Sequence, residues 1–392
     1  MTLRFYYDVV CPYAYLASLR VEDLAERTGV ELEWCPVLLG GLYRNQGTAD
    51  VPAETWAGAK VVIGANDLLR EARASNAPFE HNPRHPQRSV TAMRLITAAA
   101  GPARTALTKA LYRAYWVDNR DINDPDLLSG LAAAHGLSLE HANSQATRDA
   151  LRANTQAATD RGVFGVPTFE VNERIWWGQD RMHLVEHALG GAPRYMPEVT
   201  PPKPTRIQFF HDFSSPYSYL ASTQIERLAA EWGAVLEWKP MLLGALFKQV
   251  GTANIPIFTF GPARQAYVMQ DLGDWAEWWG VRFQFNPHFP MRTVTAGRVA
   301  LVDPSTTADI YRAAWVDGID LNDDRALAEA LSAAGHDGES LVEATQEPAI
   351  KAALRTNTEA AAEAGACGAP TMLVGDRIFW GQDRLHRVAA AL

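Results

Sequence analysis

The sequence predicts an α/β protein built twice in tandem, each copy running strand, helix, strand, a long helical insert, two strands and a closing helix. Three observations predict it. Asp8–Ser18 (Asp-Val-Val-Cys-Pro-Tyr-Ala-Tyr-Leu-Ala-Ser) recurs 204 positions on as Asp212–Ser222 (Asp-Phe-Ser-Ser-Pro-Tyr-Ser-Tyr-Leu-Ala-Ser). Glu33-Trp34, Gly47-Thr48 and Asn82-Pro83 recur at the same offset as Glu237-Trp238, Gly251-Thr252 and Asn286-Pro287. Further on, Tyr112-Arg113 with Trp116-Val117-Asp118, Gly165-Val166-Pro167-Thr168 and Trp177-Gly178-Gln179-Asp180-Arg181 return as Tyr311-Arg312 with Trp315-Val316-Asp317, Gly368-Ala369-Pro370-Thr371 and Trp380-Gly381-Gln382-Asp383-Arg384. A repeat this long exceeds solenoid periods of roughly 20 to 50 residues, so each copy is a domain with its own core. The expected domains are residues 1–198 and 205–392.

Each copy opens with an aromatic and β-branched run, Leu3–Val9 or Arg206–Phe210, that reads as a strand. A Pro-bearing turn follows. From Tyr13 the apolar positions Leu16, Leu19, Leu24 and Ala25 approximate helical spacing, and Gly29 closes the helix as a C-terminal cap. A second strand at Val30–Val37 completes a βαβ unit. The middle of each copy, Thr55–Arg161 and Phe258–Ala364, is rich in Ala, Leu and Arg at helical spacing, with Asp124-Pro125 suited to an N-cap and first helical residue. Thr168–Val171 and Arg174–Trp177 then form a predicted hairpin around Val-Asn-Glu-Arg, and a last helix starts near Asp180 and its counterpart Asp383. This order is that of a thioredoxin-like domain with a helical subdomain in its middle. Gly190 through Pro204 is Pro-rich and sustains neither helix nor central strand, which makes it the expected linker.

Apolar residues at 47% and charged residues at 21% are ordinary globular values, which excludes a disordered or fibrous chain. A net charge of -9 without a Lys/Arg cluster argues against nucleic acid and anionic lipid as partners. The first residues run directly into a strand, leaving no room for a signal peptide, and no 18-residue apolar run suits a membrane span. Cys11, Cys35 and Cys367 are too few and scattered for a disulfide framework, so a cytoplasmic location is expected. Cys35 and Cys367 read as buried small residues.

Three places carry the candidate chemistry. The first is the turn where Cys11 or Ser215 precedes a Pro at a helix start. Unpaired backbone N–H groups and the helix dipole converge there and favour a thiolate or an anion. Such a placement is able to lower a thiol pKa from about 8.5 into the range of roughly 3.5 to 7.5. Cys-Pro-Tyr-Ala is a Cys-x-x-Cys motif whose second sulfur is replaced by Ala14, so an internal motif disulfide is excluded and only a mixed disulfide remains open to Cys11. Ser215 lacks a nearby base and suits hydrogen-bond donation to another molecule's thiolate. The competing reading makes both residues plain helix caps. The second place is Val166-Pro167 and Ala369-Pro370, where a cis bond at a strand entry presents backbone groups to an extended peptide, or the Pro simply starts a strand. The third is Gln179-Asp180 and Gln382-Asp383, a helix start whose N–H groups take a carboxylate and whose Asp takes an ammonium, or whose Asp is merely a cap.

With Ser215–Ala221, Gly251-Thr252-Ala253-Asn254, Asn286-Pro287-His288-Phe289-Pro290, Trp315-Val316-Asp317 and Trp380–Arg384, each half resembles 2-hydroxychromene-2-carboxylate isomerase, a family related to kappa-class glutathione transferases and DsbA-type folds. The resemblance implies glutathione as cofactor and a small-molecule substrate. It implies that Ser215 activates the thiol, that Asn254 lies by the reacting group, that Ala369 with Pro370 holds the peptide backbone, and that Gln382 and Asp383 hold the γ-glutamyl end. The first copy offers Cys11, Val166, Pro167, Gln179 and Asp180 instead. It departs from the family at Cys11 and at Asp50, where the family has Ser and Asn. The family's insert Lys and Arg map to Lys60 and Arg70 in copy one, but to Arg264 and Gly273 in copy two. Since the family forms homodimers, the fused tandem resembles one tied into a single chain, with further oligomerisation open.

The leading expectation is a glutathione-dependent cis–trans isomerase acting on an unsaturated aromatic-derived acid, with Trp275, Trp278 and Trp279 as pocket wall or as core. Two alternatives stand beside it. Cys11 is a thiol-disulfide oxidoreductase or glutathione transferase nucleophile, or one copy is non-catalytic and completes a dimer-like interface.

Overall fold

The structure is a computed structural model that describes residues 1–47, 58–197, 205–253 and 255–392. The described residues divide into two units. Unit 1 holds residues 1–47, 65–193 and 261–267; unit 2 holds 58–64, 194–197, 205–253, 255–260 and 268–392.

In unit 1 the strands are β1 (Thr2–Tyr7), β2 (Glu31–Pro36), β3 (Thr168–Val171) and β4 (Arg174–Trp177), in the order β2-β1-β3-β4. β1 runs parallel to β2 and antiparallel to β3. The pleat sends Leu3, Phe5 and Tyr7 to one face, all fully buried, where Phe5 stacks on Phe169 at 5.5 Å and meets the edge of Trp34 at 5.1 Å. Opposite them, Glu170 is buried among Arg4, Arg161 and the Tyr6 hydroxyl, at 2.8, 2.9 and 2.5 Å. A buried carboxylate is tolerated here because it is paired and hydrogen-bonded.

Unit 2 repeats the sheet with β5 (Arg206–His211), β6 (Val235–Pro240), β7 (Thr371–Val374) and β8 (Arg377–Trp380), in the order β6-β5-β7-β8. Gln208, Phe210, Leu373 and Ala364 stand where unit 1 has Arg4, Tyr6, Glu170 and Arg161. The ion cluster is gone, and Phe210 packs with Met241, Leu246 and Ala361 instead.

The opening helix is continuous in unit 2, Pro216–Glu231, but unit 1 divides it into Pro12–Ser18 and Val21–Thr28. Arg20 leaves helical geometry at φ −126°, ψ −16°, and its guanidinium donates to the Gln179 carbonyl at 3.3 Å. Gly29 caps the second piece in the left-handed region, as its position predicts. The hairpin turn places Asn172 and Glu173 both at positive φ, which a two-residue type I′ turn demands. In the insert, Asp124 caps its helix through a 2.9 Å bond from Asp126 N–H. Asn82 and Asn286 prove to be structural, each amide bridging two carbonyls: Tyr115 and Arg120 in unit 1, Ala314 and Ile319 in unit 2. Trp275 is wholly buried, so for this residue the core reading holds. Among the described residues no helix is long and apolar enough to cross a membrane.

Asp8 and Asp212, directly after the first strand of each unit, fasten insert to sheet. Asp8 Oδ2 accepts from Leu39 N–H and Ser89 Oγ, both at 2.9 Å. Asp212 accepts from Leu243 N–H at 2.6 Å and from Thr293 Oγ1. Burial pushes the Asp8 carboxyl up to about 6, opposed by these hydrogen bonds. An unfolded Asp titrates near 3.9, so this group favours the folded state most below pH 4, and that contribution is lost as pH rises through 6. Urea unfolding between pH 4 and 7 should show stability falling by roughly 1–3 kcal/mol from this group, a slope absent in Asp8→Asn. Identical slopes in the two proteins would refute the assignment.

Candidate functional site

The small residue of each repeated turn sits at the N-cap of the first helix, with extended backbone and Pro following. Cys11 has φ −89°, ψ 115°, and Ser215 has φ −98°, ψ 114°. Their side chains behave differently. Ser215 Oγ accepts from Ser218 N–H at 3.1 Å and donates to the Ala369 carbonyl at 3.0 Å. Cys11 makes no side-chain cap, and its Sγ donates to the Val166 carbonyl at 3.1 Å. The expectation of a lowered Cys11 pKa is corrected by the structure. Burial pushes the thiol up to about 12, and the N–H groups of Ala14 and Tyr13 only partly offset it. The helix start stabilises a charge, but removing the thiolate from water costs more.

The carbonyls that receive these side chains belong to residues preceding cis prolines, Val166-Pro167 and Ala369-Pro370. Each proline's own carbonyl accepts at 2.9 Å from the next motif, Pro167 from Gly178 N–H and Pro370 from Gly381 N–H. Three motifs separated in sequence are therefore joined by hydrogen bonds in each unit. Gly178 and Gly381 have φ 108° and 106°, and a Cβ at either would stand 2.4 Å from the carboxylate of Asp180 or Asp383. Only glycine allows the Asp side chain to fold back there. The expected helix start is a single 3-10 turn, Gln179–Arg181 or Gln382–Arg384, before a short α-helix. Asp180 pairs with Arg181 at 3.1 Å, and Asp383 with Arg384 at 3.3 Å.

Gln179 and Gln382 are buried, 3% and 1% exposed, and the Nε2 of each lacks a hydrogen-bond partner. Two buried amide donors are thus left without a partner in equivalent places of the two units. In unit 2 the amide is oriented, because Trp279 Nε1 donates to Gln382 Oε1 at 3.1 Å. Trp279 therefore supports the site, a more particular role than pocket wall. Tyr195 donates to the Asp383 carbonyl at 3.0 Å and meets His386 Nδ1 at 3.0 Å, so part of the expected linker is bound to the site turn. Asn254 and Asp50 lie outside the described residues.

A family model described as DSBA-like thioredoxin domain matches residues 2–190 and again 206–392. The chain belongs to the DSBA-like thioredoxin domain family, twice over. The 2-hydroxychromene-2-carboxylate isomerase of Sphingobium xenophagum is 32% identical over 190 residues, covering 46% of this chain and 93% of that protein. Glutathione S-transferase kappa 1 of Caenorhabditis elegans is 30% identical over 211 residues, covering 49% and 92%. The 2-hydroxychromene-2-carboxylate isomerase of Pseudomonas putida is 26% identical over 196 residues, covering 47% and 93%. Each relative thus matches about half of this tandem DSBA-like chain while being covered almost entirely itself.

Sequence reasoning missed Asp8, Asp212, Tyr195 and the orienting bond of Trp279. Asp8 and Asp212 carry a signal, since both open the repeated motif. Tyr195 has no counterpart in the repeat and carries none. In this DSBA-like pair a Cys11 protonated at neutral pH should react sluggishly. Iodoacetamide at pH 8, read by peptide mapping, should modify Cys11 about a hundredfold more slowly than an unhindered thiol. Labelling at the rate of free cysteine would contradict the buried, protonated state.

Proposed function

We propose that the unit built around Ser215 is a glutathione-dependent cis–trans isomerase site for an unsaturated, aromatic-derived acid. The observation that carries the reading is the buried, unpartnered Gln382 amide, joined through Gly381, Pro370 and Ala369 to a serine hydroxyl at a helix start. Glutathione supplies a thiol that adds reversibly to a conjugated double bond, letting the bond rotate before the thiol leaves. Gln382 Nε2 donates to the α-carboxylate of the γ-glutamyl end, and Asp383 accepts from its ammonium. The backbone of Ala369 pairs with the peptide. Ser215 Oγ turns from the Ala369 carbonyl toward the sulfur and donates to the thiolate, while Ser218 N–H continues to hold the hydroxyl in place. Asn254, by the family resemblance, faces the reacting carboxylate or carbonyl. The two kinds of relative, an isomerase and a kappa-class glutathione transferase, support a thiol-dependent enzyme working on a small molecule.

A second reading concerns unit 1. Its Cys11 is a weak donor held protonated by burial, and Ala14 removes the resolving sulfur of a redox motif. These observations favour a unit that binds the peptide without turning it over, rather than a thiol-disulfide oxidoreductase or a transferase acting through Cys11. Calorimetry with glutathione should give a stoichiometry between one and two. The thiol of glutathione bound in the Ser215 unit, followed by thiolate absorbance against pH, should titrate about 1–2 units higher in Ser215→Ala, as the loss of a charge-assisted hydrogen bond requires. Cys11→Ala should leave that titration in place. Failure of the unsubstituted chain to bind glutathione would end this reading.

A further inference from the structure

The opening helix and the insert meet differently in the two units. In unit 1, Glu22 of the helix Val21–Thr28 pairs with Lys109 of the insert helix Gly101–Trp116, Oε2 to Nζ at 2.5 Å. Unit 2 keeps the carboxylate and loses the cation. Glu226 answers to Glu22 at the 204-residue offset, while Ala308 answers to Lys109 when Tyr311-Arg312 is set on Tyr112-Arg113. Glu226 is exposed and, among the described residues, has neither a hydrogen bond nor an ion pair.

A cavity of about 170 Å³ opens between Glu226 and Ala308, walled further by Tyr219, Thr223, Trp238 and Tyr311. Two other exchanges loosen the same place. Thr223 replaces Leu19 of unit 1. His211 replaces Tyr7, whose hydroxyl meets Thr108 Oγ1 at 2.9 Å; Thr307, the counterpart of Thr108, keeps only its bond to the Pro304 carbonyl.

The chemistry of the wall selects what fits. Ser222, Ser305 and Thr307 also line the cavity, and each hydroxyl already donates elsewhere: to the Tyr219 carbonyl at 2.7 Å, to the Asp303 carboxylate at 2.7 Å and to the Pro304 carbonyl at 2.8 Å. The Tyr219 hydroxyl donates to the Arg282 carbonyl. The N–H groups of the 3-10 turn Pro304–Thr306 and of Thr307 are taken as well, by Asp303 and by Pro304. What these groups leave open is acceptor lone pairs, beside a carboxylate and aromatic rings. An ammonium, with three donors and no acceptor, is the complement of such a wall, and the rings attract it further.

We propose that this cavity of unit 2 binds a primary ammonium on a short alkyl chain, a guest that unit 1 carries covalently as Lys109. The ammonium pairs with Glu226, and the alkyl stem fills the space beside Ala308 that the longer side chain occupies in unit 1. The inference stands apart from the peptide-thiol reading, since it uses neither Ser215 nor Gln382.

The probe is n-butylammonium, the free counterpart of the lysine side chain, titrated into the full chain with alanine and threonine methyl groups labelled for NMR. Saturable shifts of the Ala308 and Thr223 methyls are expected with n-butylammonium and not with n-butanol or butyrate at equal concentration. Glu226→Gln, an exposed substitution that leaves the core alone, should weaken binding about fivefold, the upper scale of a solvent-exposed ion pair. Ala308→Lys should restore the internal pair and abolish the shift at Thr223. Nα-acetyl-lysinamide distinguishes two sources of the same chemistry: its entry extends the site to lysine side chains of other proteins, and its exclusion assigns the site to free alkylamines. No saturable shift with n-butylammonium overturns the proposal. Equal shifts with n-butanol overturn it too, as do undiminished binding by Glu226→Gln and undiminished binding by a folded Ala308→Lys.

Discussion

The buried carboxylate that ends the first strand of each unit is the constraint on which the rest of the site depends. Asp8 and Asp212 accept the backbone N–H of the helix that follows the second strand and a hydroxyl from the insert, Ser89 or Thr293. A strand end, a helix start and a distant insert helix thereby meet at one side chain. The next residue in each unit is fixed as well, since Trp116 Nε1 donates to the Val9 carbonyl and Trp315 Nε1 to the Phe213 carbonyl. The chain that enters Cys11 or Ser215 is therefore tied by hydrogen bonds at the end of the strand and at the residue after it, which limits the positions open to the hydroxyl or thiol.

The same frame supports two different interiors. In unit 1 the second face of the sheet is closed by a carboxylate, two guanidinium groups and a phenol; in unit 2 it is closed by Phe210, Leu373 and their apolar neighbours. All four positions differ together, as they must, because one buried charge without its partners costs several kcal/mol. The nucleophile position shows a similar dependence on its surroundings. A Ser hydroxyl accepts and donates at once, so Ser215 satisfies Ser218 N–H and the Ala369 carbonyl together. A thiol accepts weakly, so Cys11 keeps only the donated bond.

What the sequence made legible follows from how local each feature is. β3 and β4 fall on their predicted residues because alternating apolar content and a two-residue turn are decided within the segment. Gly29 and Asp124 perform as caps for the same reason. The break of the first helix at Arg20 was not legible, because it accompanies a contact with Gln179, 159 positions away. The raised pKa of Cys11 was equally hidden: position at a helix start is visible in sequence, but the burial that outweighs it comes from the folded interior. Tyr195 read as linker because proline content describes the backbone and is silent about one side chain's partners.

The two buried glutamines, Gln179 and Gln382, have different surroundings. A buried amide N–H without an acceptor costs the desolvation of that donor, so it persists where something outside the chain repays the loss or where no rearrangement can relieve it. At Gln382, Trp279 fixes the carboxamide from its oxygen side and leaves the nitrogen as the end without a partner. Position 75, the counterpart of Trp279 at the 204-residue offset, is Ser75, whose hydroxyl donates to Glu71 instead. The carboxamide in unit 1 therefore lacks that indole partner. The two units thus differ at this place: unit 2 sets an indole-held carboxamide in the same unit as a serine hydroxyl at the repeated turn, and unit 1 sets its carboxamide in the same unit as a protonated thiol.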